Sequence, residues 1–516
     1  VGAVDPDTFQ SRKLFGKGIN QCLFGLNVFF IGGSHGGAGS GKTEIYIHLI
    51  NEVLAQGKQV LYMLPEIVLT SQLTERLRKV FGNRLGVYHS RYTDAERVEV
   101  YRKQISDTPY DIIVGVRSSV LLPFHNLGMV IIDEEHETSF KQTEPAPRYH
   151  ARNVALVMAR MSGAKTLLGT ATPSLESYSN AVAGKYGYVS LTTRFGNVCM
   201  PEIEVVDIAE LKRKKLMNGP FSPVLLREIR QALERKEQVI LFQNRRGFAP
   251  VVECHVCGWT PQCPHCDVSL TFHKRSNSLT CHYCGFSTSV AQRCPQCDAD
   301  RLSSKGYGTE RIEDVLASIF PDARVARMDL DTTRSRSAYE GIIKGFQHGD
   351  TDILIGTQMV TKGLDFRRVS VVGILNASTM LNQPDFRSYE RAYQMMTQVA
   401  GRAGRSSAGN GQNVRPGRVI LQVHDAKQPT VMQVVRGDFE GMFRTQMEER
   451  RLFMYPPLCR LVYVYIKHKD EIVLEHLAEE LAALLRQVFG HRVLGPDMPP
   501  IARVQTMYIR KVCLKL

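Results

Sequence analysis

The sequence contains no apolar run long enough to cross a lipid bilayer. The run around Cys22–Ile31 is only about half the length that a membrane-spanning helix needs. No basic and apolar leader with a cleavage site begins the chain, and its 41 glycines and 23 prolines show no collagen-like or linker-like bias. These absences argue against a membrane, collagen-like or largely disordered protein and favour compact domains in the cytoplasm.

The length and charge of the chain limit its organisation and its partners. At 516 residues it exceeds a single core of ordinary size, so about two to four domains are expected. The formal net charge of +14 favours a polyanionic partner, because clustered Lys and Arg displace counterions from phosphates. Nucleic acid is the first candidate, although charge alone leaves open a generally basic composition.

Short apolar runs alternate with helical stretches and predict strands of parallel sheets. In the first half the predicted strands are Val60–Leu64, Asp111–Val114, Met129–Ile132 and Thr166–Leu168. The pattern restarts after a polar, basic stretch near Leu211–Gly219, with Val239–Phe242, Arg324–Met328, Asp352–Ile355, Val369–Leu375 and Arg418–Val423. Two α/β lobes are therefore predicted, followed by a smaller unit with an amphipathic helix near Val473–Val488.

A glycine-rich phosphate-binding motif, GGAGSGKT, follows the apolar run Val28–Ile31. In this motif backbone amides wrap the phosphates, the lysine reaches the β and γ oxygens, and the final hydroxyl binds magnesium. The sequence therefore predicts an ATP and magnesium site at Gly36, Gly37, Ala38, Gly39, Ser40, Gly41, Lys42 and Thr43.

An acidic motif, DEEH, ends the apolar strand that begins at Met129. Asp133 is predicted to hold the magnesium, and Glu134 to orient and deprotonate the attacking water, since phosphoryl transfer depends on positioning and charge neutralisation. A third motif, GTATPS, follows another strand, and its Thr170 and Thr172 hydroxyls are predicted to link nucleotide state to lobe closure.

The second lobe contributes two further motifs, GTQMVTKGLDF and QVAGRAGR. Gly363 of the first and Gln398 of the second are predicted to contact the nucleotide. Arg402 and Arg405 lie three residues apart and are predicted to share one helix face. Guanidiniums presented across a cleft stabilise the transferring phosphoryl charge, so both are catalytic candidates.

Eight of the 12 cysteines form four Cys-x-x-Cys pairs, which favours two structural zinc ions with four thiolates each over disulfides. Five residues separate the first and second pairs and fourteen the second and third, so a nested arrangement is predicted. One ion takes Cys254, Cys257, Cys294 and Cys297, and the other takes Cys263, Cys266, Cys281 and Cys284. The histidines His255, His265, His273 and His282 are possible but unnecessary ligands.

Taken in order, these motifs resemble those of superfamily 2 helicases, whose two lobes are RecA-like. The segments NRRGFAP (244–250), KQTEPAPRYHAR (141–152) and PDFRSYERAYQ (384–394), together with the cysteine module, resemble the primosomal protein N′ family of replication-restart helicases. The resemblance covers nearly the whole chain and implies nested zinc sites.

This resemblance implies an ATP-driven motor that moves 3′ to 5′ on DNA and binds abandoned forks. Its partners would be single-stranded and forked DNA, primosome proteins and single-strand-binding proteins, and we expect a nucleoid-associated monomer. The family's coupling loop between DNA and ATP hydrolysis corresponds here to Phe140, Lys141, Arg148, Tyr149 and His150. Aromatic and cationic side chains suit contact with single strands.

The resemblance also divides the chain. Residues 1–20 would be the remnant of an N-terminal DNA-binding region, 21–195 the first lobe, 220–252 with 301–425 the second lobe, 253–300 the zinc insertion and 426–516 an incomplete C-terminal α+β domain. The chain departs from the family at extra residues before its P-loop and at Ser378, where the family has Asp.

Two other functions remain open. An RNA helicase or duplex-DNA translocase would use the same motor motifs, because these contact nucleotide and backbone rather than sugar. A zinc-bearing primosome scaffold with a vestigial ATPase is the non-enzyme alternative. The joint presence of Lys42, Asp133, Glu134, Arg402 and Arg405 favours a working motor.

Overall fold

The structure is a computed structural model. It describes residues 28–33, 41–65, 71–89, 92–191, 200–244, 251–254, 259, 261–265, 270–273, 278–281, 286–299, 302–305, 309–329, 332–333, 335–361, 366, 368–383, 385–404 and 416–516. Within these ranges, every helix is too short or too polar to span a bilayer.

Within the described residues, the first lobe is a parallel sheet of seven strands, ordered β3-β4-β2-β5-β6-β1-β7. The strands are β1 (Val28–Gly33), β2 (Gln59–Met63), β3 (Leu85–Tyr88), β4 (Ile112–Gly115), β5 (Leu127–Asp133), β6 (Lys165–Thr170) and β7 (Gly187–Leu191). The helices are α1 (Lys42–Leu54), α2 (Ser71–Phe81), α3 (Asp94–Gln104), α4 (Ala151–Met161) and α5 (Leu175–Val182).

Helices cover both faces of this sheet, as near-continuous apolar strands require. Ile45 and Leu49 of α1 pack in the core on one face, and Ala155 and Ala159 of α4 pack in the core on the other. The local sequence sets the helix ends: Thr93 accepts from the Glu96 amide to cap α3 in a capping box.

The second lobe starts earlier in the chain than residue 220. Its first elements are β8 (Glu202–Asp207), α6 (Ile208–Arg213), α7 (Pro223–Glu234) and β9 (Gln238–Phe242). A module of short antiparallel strands follows: β10 (Val251–Cys254), β11 (Thr271–His273), β12 (Ser278–Thr280), β13 (Ser287–Ser289) and β14 (Leu302–Lys305). Pairing of β10 with β14 closes this insertion at its base.

The lobe resumes with α8 (Thr309–Ile319), β15 (Val325–Met328), α9 (Arg336–His348), β16 (Ile353–Gly356), β17 (Val369–Ile374), α10 (Ser378–Leu381), α11 (Ser388–Ala400) and β18 (Arg418–Val423). In the part of the chain that is described, its six strands are all parallel, in the order β15-β16-β9-β17-β18-β8. Strand β8 is thus an edge strand of this sheet, beside β18.

The C-terminal region comprises α12 (Pro429–Arg436), α13 (Phe439–Leu452), β19 (Leu461–His468), α14 (Glu471–Phe489), β20 (Val493–Asp497), β21 (Arg503–Val504) and β22 (Met507–Lys515). The last strands form a small antiparallel sheet with α14 packed against it. The predicted fold class, two parallel-sheet lobes and a small α+β C-terminal domain, is confirmed, as is the amphipathic helix near residues 473–488.

Candidate active site

Lys42, the lysine predicted to bind phosphate, lies close to two carboxylates at the end of a central strand. Gly41 takes a left-handed conformation with φ of 78°, and α1 begins at the next residue. Lys42 Nζ lies 3.4 Å from Glu134 Oε1 and 3.8 Å from Asp133 Oδ1, because β5 ends at Asp133. The remaining predicted loop residues, Gly36, Gly37, Ala38, Gly39 and Ser40, lie outside the described residues.

Asp133 is held in place by Tyr46, which belongs to none of the sequence motifs, and by the motif residues Glu134 and Gly169. The Tyr46 hydroxyl donates to Asp133 Oδ1 over 3.1 Å, and the Glu134 amide donates to the same oxygen over 3.1 Å. Gly169 makes this approach possible, since a Cβ at that position would lie 1.7 Å from the Tyr46 hydroxyl. Tyr46 and Gly169 thus fix the orientation of the Asp133 carboxylate.

The pKa values of this cluster reflect burial and close charges. Burial raises the pKa of Asp133 to about 6, against the opposing effect of Lys42. For Glu134, burial is outweighed by the positive charges of Lys42 and His136, which lower its pKa. For Lys42, burial is outweighed by Glu134 and Asp133, which raise its pKa. Lys42 and Glu134 are therefore charged at neutral pH.

Arg402 approaches this cluster from the second lobe. The prediction that it lies on a helix is wrong: α11 ends at Ala400, and Arg402 occupies the turn that follows, where Gly404 has φ of 68°. Its side chain is nevertheless buried, and its positive charge partly opposes the rise in the pKa of Lys42 and adds to the fall in the pKa of Glu134. Arg405 and Gly363 lie outside the described residues.

One face of α11 contacts the GTATPS segment and the residue that follows it, Leu175, through three side chains at spacing i, i+4 and i+8. Glu390 Oε1 accepts from the Leu175 amide over 2.9 Å, and Gln394 Nε2 donates to the Pro173 carbonyl over 2.9 Å. Gln398 Nε2 donates to the third partner, the Thr172 hydroxyl, over 3.4 Å. The structure therefore places Gln398 at the boundary between the lobes.

His136 connects this boundary to the acidic motif. Its Nδ1 lies 2.7 Å from the Thr170 hydroxyl, and its Nε2 lies 2.8 Å from Gln398 Nε2. Glu134 Oε2 is 3.7 Å from His136 Nδ1. The His136 imidazole thus connects the Glu134 carboxylate, the Thr170 hydroxyl and the second lobe.

Glu390, Gln394 and the Glu135–Arg152 pair were missed by the sequence analysis. Glu135 is fully buried and accepts from Arg152 Nη1 over 2.5 Å and from the Ser174 amide over 2.8 Å. For Glu390 and Gln394 the available signal was their spacing of eight and four residues from Gln398. The pairing of Glu135 with Arg152 leaves no local signal.

A hairpin between residues 141 and 150 follows the acidic motif. Lys141 and His150 form its base as an antiparallel bridge, and Arg117 Nη1 donates to the Lys141 carbonyl over 3.3 Å. Arg148 is exposed, and Tyr149 is partly buried. Phe140 is only 1% exposed and packs in the first-lobe core, so it anchors the hairpin and is not available to stack on a base.

Two of the described cysteines of the insertion share one small core. Cys263 and Cys281 are buried in one small core, and the His265 amide donates to Cys263 Sγ over 3.4 Å. The backbone of Cys254 pairs with Leu302, which follows Cys297 in the chain. Cys257, Cys266 and Cys284 lie outside the described residues. Among the residues that the structure describes, no group of three or more His, Cys, Asp or Glu side chains could hold a metal ion.

Two parallel-sheet lobes that meet at a cluster of charged side chains are the architecture of two-lobed helicases, and three helicase family models match the chain. The DEAD/DEAH box helicase model matches residues 17–181, and the helicase conserved C-terminal domain model matches 307–407. Between them, the PriA DNA helicase Cys-rich region domain model matches residues 263–288.

The chain belongs to the family of the replication restart protein PriA. It is 42% identical to that protein of Bacillus subtilis, covering 93% of this chain and 59% of the relative. The protein of Haemophilus influenzae is 39% identical, with 95% and 66% covered, and that of Treponema pallidum is 36% identical, with 95% and 72% covered. The chain spans less than two thirds of the first two relatives.

Proposed function

We propose that the chain is the motor of a replication-restart helicase, which hydrolyses ATP to ADP and phosphate and translocates 3′ to 5′ on DNA. Its substrates are stalled or abandoned forks, where it unwinds strands and initiates primosome assembly. The observation that carries the proposal is the position of Lys42 between Asp133 and Glu134, within electrostatic reach of Arg402 from the other lobe.

These residues have distinct roles in the proposed reaction. Lys42 binds the β and γ phosphates and, with Arg402, stabilises the charge on the transferring phosphoryl group. Glu134 is ionised, so it can orient the water and accept its proton as the water oxygen bonds to the γ phosphorus, while the bond from that phosphorus to the bridging oxygen breaks and ADP leaves. Because Arg402 comes from the second lobe, hydrolysis requires lobe closure.

The donor set also fits a magnesium ion. Asp133 and the Thr43 hydroxyl are oxygen donors beside the phosphate-binding lysine, the type of ligand that magnesium prefers. Burial holds the pKa of Asp133 at about 6, and a cation bound there would favour the ionised carboxylate. Bound magnesium would neutralise charge on the β and γ phosphates.

For the insertion we propose two structural zinc ions in the nested arrangement. The shared core of Cys263 and Cys281 supports the inner site. The β10–β14 ladder supports the outer site, because it brings the backbone of Cys254 close to the chain just after Cys297. Sites closed by four thiolates stabilise a fold and have no open position for catalysis.

The hairpin at residues 141–150 is the proposed link to DNA. Lys141 and Arg148 are exposed cations, with Tyr149 and His150 as partly buried rings beside them. The hairpin begins after Glu135 and ends before Arg152, and those two side chains bind each other and the GTATPS segment. If single-stranded DNA displaced the hairpin, the Glu135–Arg152 pair would transmit that movement to the GTATPS segment at the lobe boundary.

The direct test combines ATP hydrolysis with strand displacement. Wild-type chain should hydrolyse ATP faster with single-stranded DNA than with RNA or without nucleic acid, and it should displace strands from forks with a 3′-tailed loading strand. Lys42→Ala and Glu134→Gln should abolish both activities. Glu210→Gln, which changes an exposed carboxylate on α6, is the matched control.

Each alternative has its own result in this assay. Equal stimulation by RNA would favour an RNA helicase, and activity confined to duplex DNA without displacement would favour a translocase. Full displacement by Glu134→Gln would remove the catalytic assignment. Fork binding with no hydrolysis by the wild-type chain would indicate a scaffold.

A further inference from the structure

Helix α13 of the C-terminal region lies across both lobes. Near its start, Phe439 and Phe443 contact Tyr178 of the first lobe, with ring centroids 5.0 and 4.8 Å apart. Phe439 also contacts Tyr393 of α11 at 5.9 Å. A helix that packs on both lobes at once is placed to favour one arrangement of them over others.

Near the other end of α13, Arg450 is among the largest fully buried side chains in the described part of the chain, at 1% exposure. Its Nη2 lies 2.5 Å from Glu390 Oε2, and its Nη1 donates to the Pro456 carbonyl over 2.9 Å. A guanidinium is rarely buried so deeply without a specific partner. Glu390 is that partner.

Glu390 uses its two oxygens in different directions. Oε2 binds Arg450, and Oε1 accepts from the Leu175 amide in the first lobe. Burial and the negative charge of Glu176 raise the pKa of Glu390, and Arg450 opposes this shift. Without Arg450 the carboxylate would tend to protonate or turn, and the acceptor for Leu175 would weaken.

A second ion pair lies beside the first. Arg387 of the second lobe donates to Glu176 Oε1 over 2.6 Å, and Arg450 Nη1 lies 3.8 Å from the same oxygen. The Phe386 ring lies beneath both guanidiniums, 4.3 Å from that of Arg387 and 5.2 Å from that of Arg450. Charges from the first lobe, the second lobe and α13 therefore meet at one place, where Arg450 and Glu390 are buried and Glu176 and Arg387 are partly exposed.

We propose that Arg450 is a positioning residue for the motor, which holds Glu390 against the Leu175 amide and so couples the C-terminal region to lobe closure. This inference rests on the proposed ATP-driven function. Arg450 acts through Glu390, α11 and the turn that follows α11. In that turn Arg402 approaches the cluster that contains Lys42 and Glu134. The C-terminal region thereby influences hydrolysis without contacting ATP.

The test uses the full chain with Arg450→Gln and Arg450→Lys, and with Arg444→Gln as a matched control, because Arg444 is exposed on the same helix. Amide hydrogen exchange is measured at Leu175, and kcat and KM for ATP are measured at saturating single-stranded DNA. Exchange in β22 reports whether the C-terminal sheet remains folded. If Arg450→Gln unfolds that sheet, Glu390→Gln is used instead, since it removes the charge and keeps an acceptor oxygen.

Arg450→Gln should increase Leu175 exchange and lower kcat by about tenfold or more each, because a buried pair has lost one partner. KM for ATP should change less than about threefold, since the phosphate loop belongs to the first lobe. Arg450→Lys should recover part of kcat, and Glu390→Gln should lower kcat like Arg450→Gln.

Leu175 protection and kcat equal to those of Arg444→Gln would overturn the role of Arg450. A parallel loss of protection in β22 and Leu175, with normal kcat for Glu390→Gln, would also overturn it by showing a purely structural effect. A wild-type chain that hydrolyses no ATP in the presence of DNA would instead reject the proposed motor function.

Discussion

The Leu175 amide donates to Glu390 over 2.9 Å, across the boundary between the lobes. The side chain of Leu175 is fully buried, and it packs in the core of the second lobe although α5 belongs to the first. One residue thus provides both a polar and an apolar contact between the lobes. Closure of the lobes and burial of this side chain are coupled.

Leu175→Ala should therefore weaken lobe closure. Removing a buried leucine side chain costs about 2–5 kcal/mol, and here the loss falls on the interface that brings Arg402 towards Lys42 and Glu134. We expect DNA-stimulated kcat to decrease strongly. The melting temperature of the first lobe should change little. Val182→Ala, an exposed position on the same helix, should behave like wild type, and equal kcat values for the two variants would contradict the prediction.

Gly169→Ala should disturb the orientation of Asp133. The added Cβ would lie 1.7 Å from the Tyr46 hydroxyl and 2.9 Å from its Cζ, so the ring that donates to Asp133 must move. Overpacking of this kind costs about 1–3 kcal/mol, and ATP turnover should fall with it. The double variant with Tyr46→Phe lacks the closest clashing atom and should recover stability more than turnover. If neither stability nor turnover recovered, the strain would not come from the Tyr46 hydroxyl.

The sheets could be predicted from the sequence because their strands are apolar on both faces. Runs such as Val239–Phe242 have no periodicity compatible with a surface helix, and the structure has strands there. Strand β8, EIEVVD, could not be assigned in this way, since its alternating charges are typical of an exposed segment. It becomes an edge strand only because β18 provides a partner.

The candidate site could be predicted only where a motif concentrates its chemistry. Lys42, Asp133 and Glu134 come together as the motifs imply. Arg450, in the polar stretch EERRL, has the local pattern of a solvated helix end, and its burial depends on a partner 60 residues away. Phe140 shows the reverse case, because its neighbours suggested exposure while the first-lobe core encloses it.

Removal of zinc should loosen a hairpin of the C-terminal region. The Thr506 amide donates to the His265 carbonyl over 2.9 Å, and Val504 packs against the core that contains Cys263 and Cys281. If zinc holds this core together, chelation should raise amide exchange in residues 503–508 by about tenfold or more, while α14 keeps its protection. Unchanged exchange in a chain shown by metal analysis to lack zinc would contradict the link.

His150 should make the stability of the first lobe depend on pH. Burial, reinforced by the positive charges of Arg152 and Lys141, lowers the pKa of His150 to about 3, whereas an unfolded chain has a histidine pKa of about 6.5. As pH falls below about 6.5, the unfolded state binds a proton that the folded state excludes, so stability falls until pH nears 3. At pH 5 the loss is at most about 2 kcal/mol, because the ring is partly exposed. Urea unfolding of wild type and His150→Gln at pH 7.5 and 5 should show a smaller loss in the variant, and equal losses would mean that His150 is protonated in the folded chain.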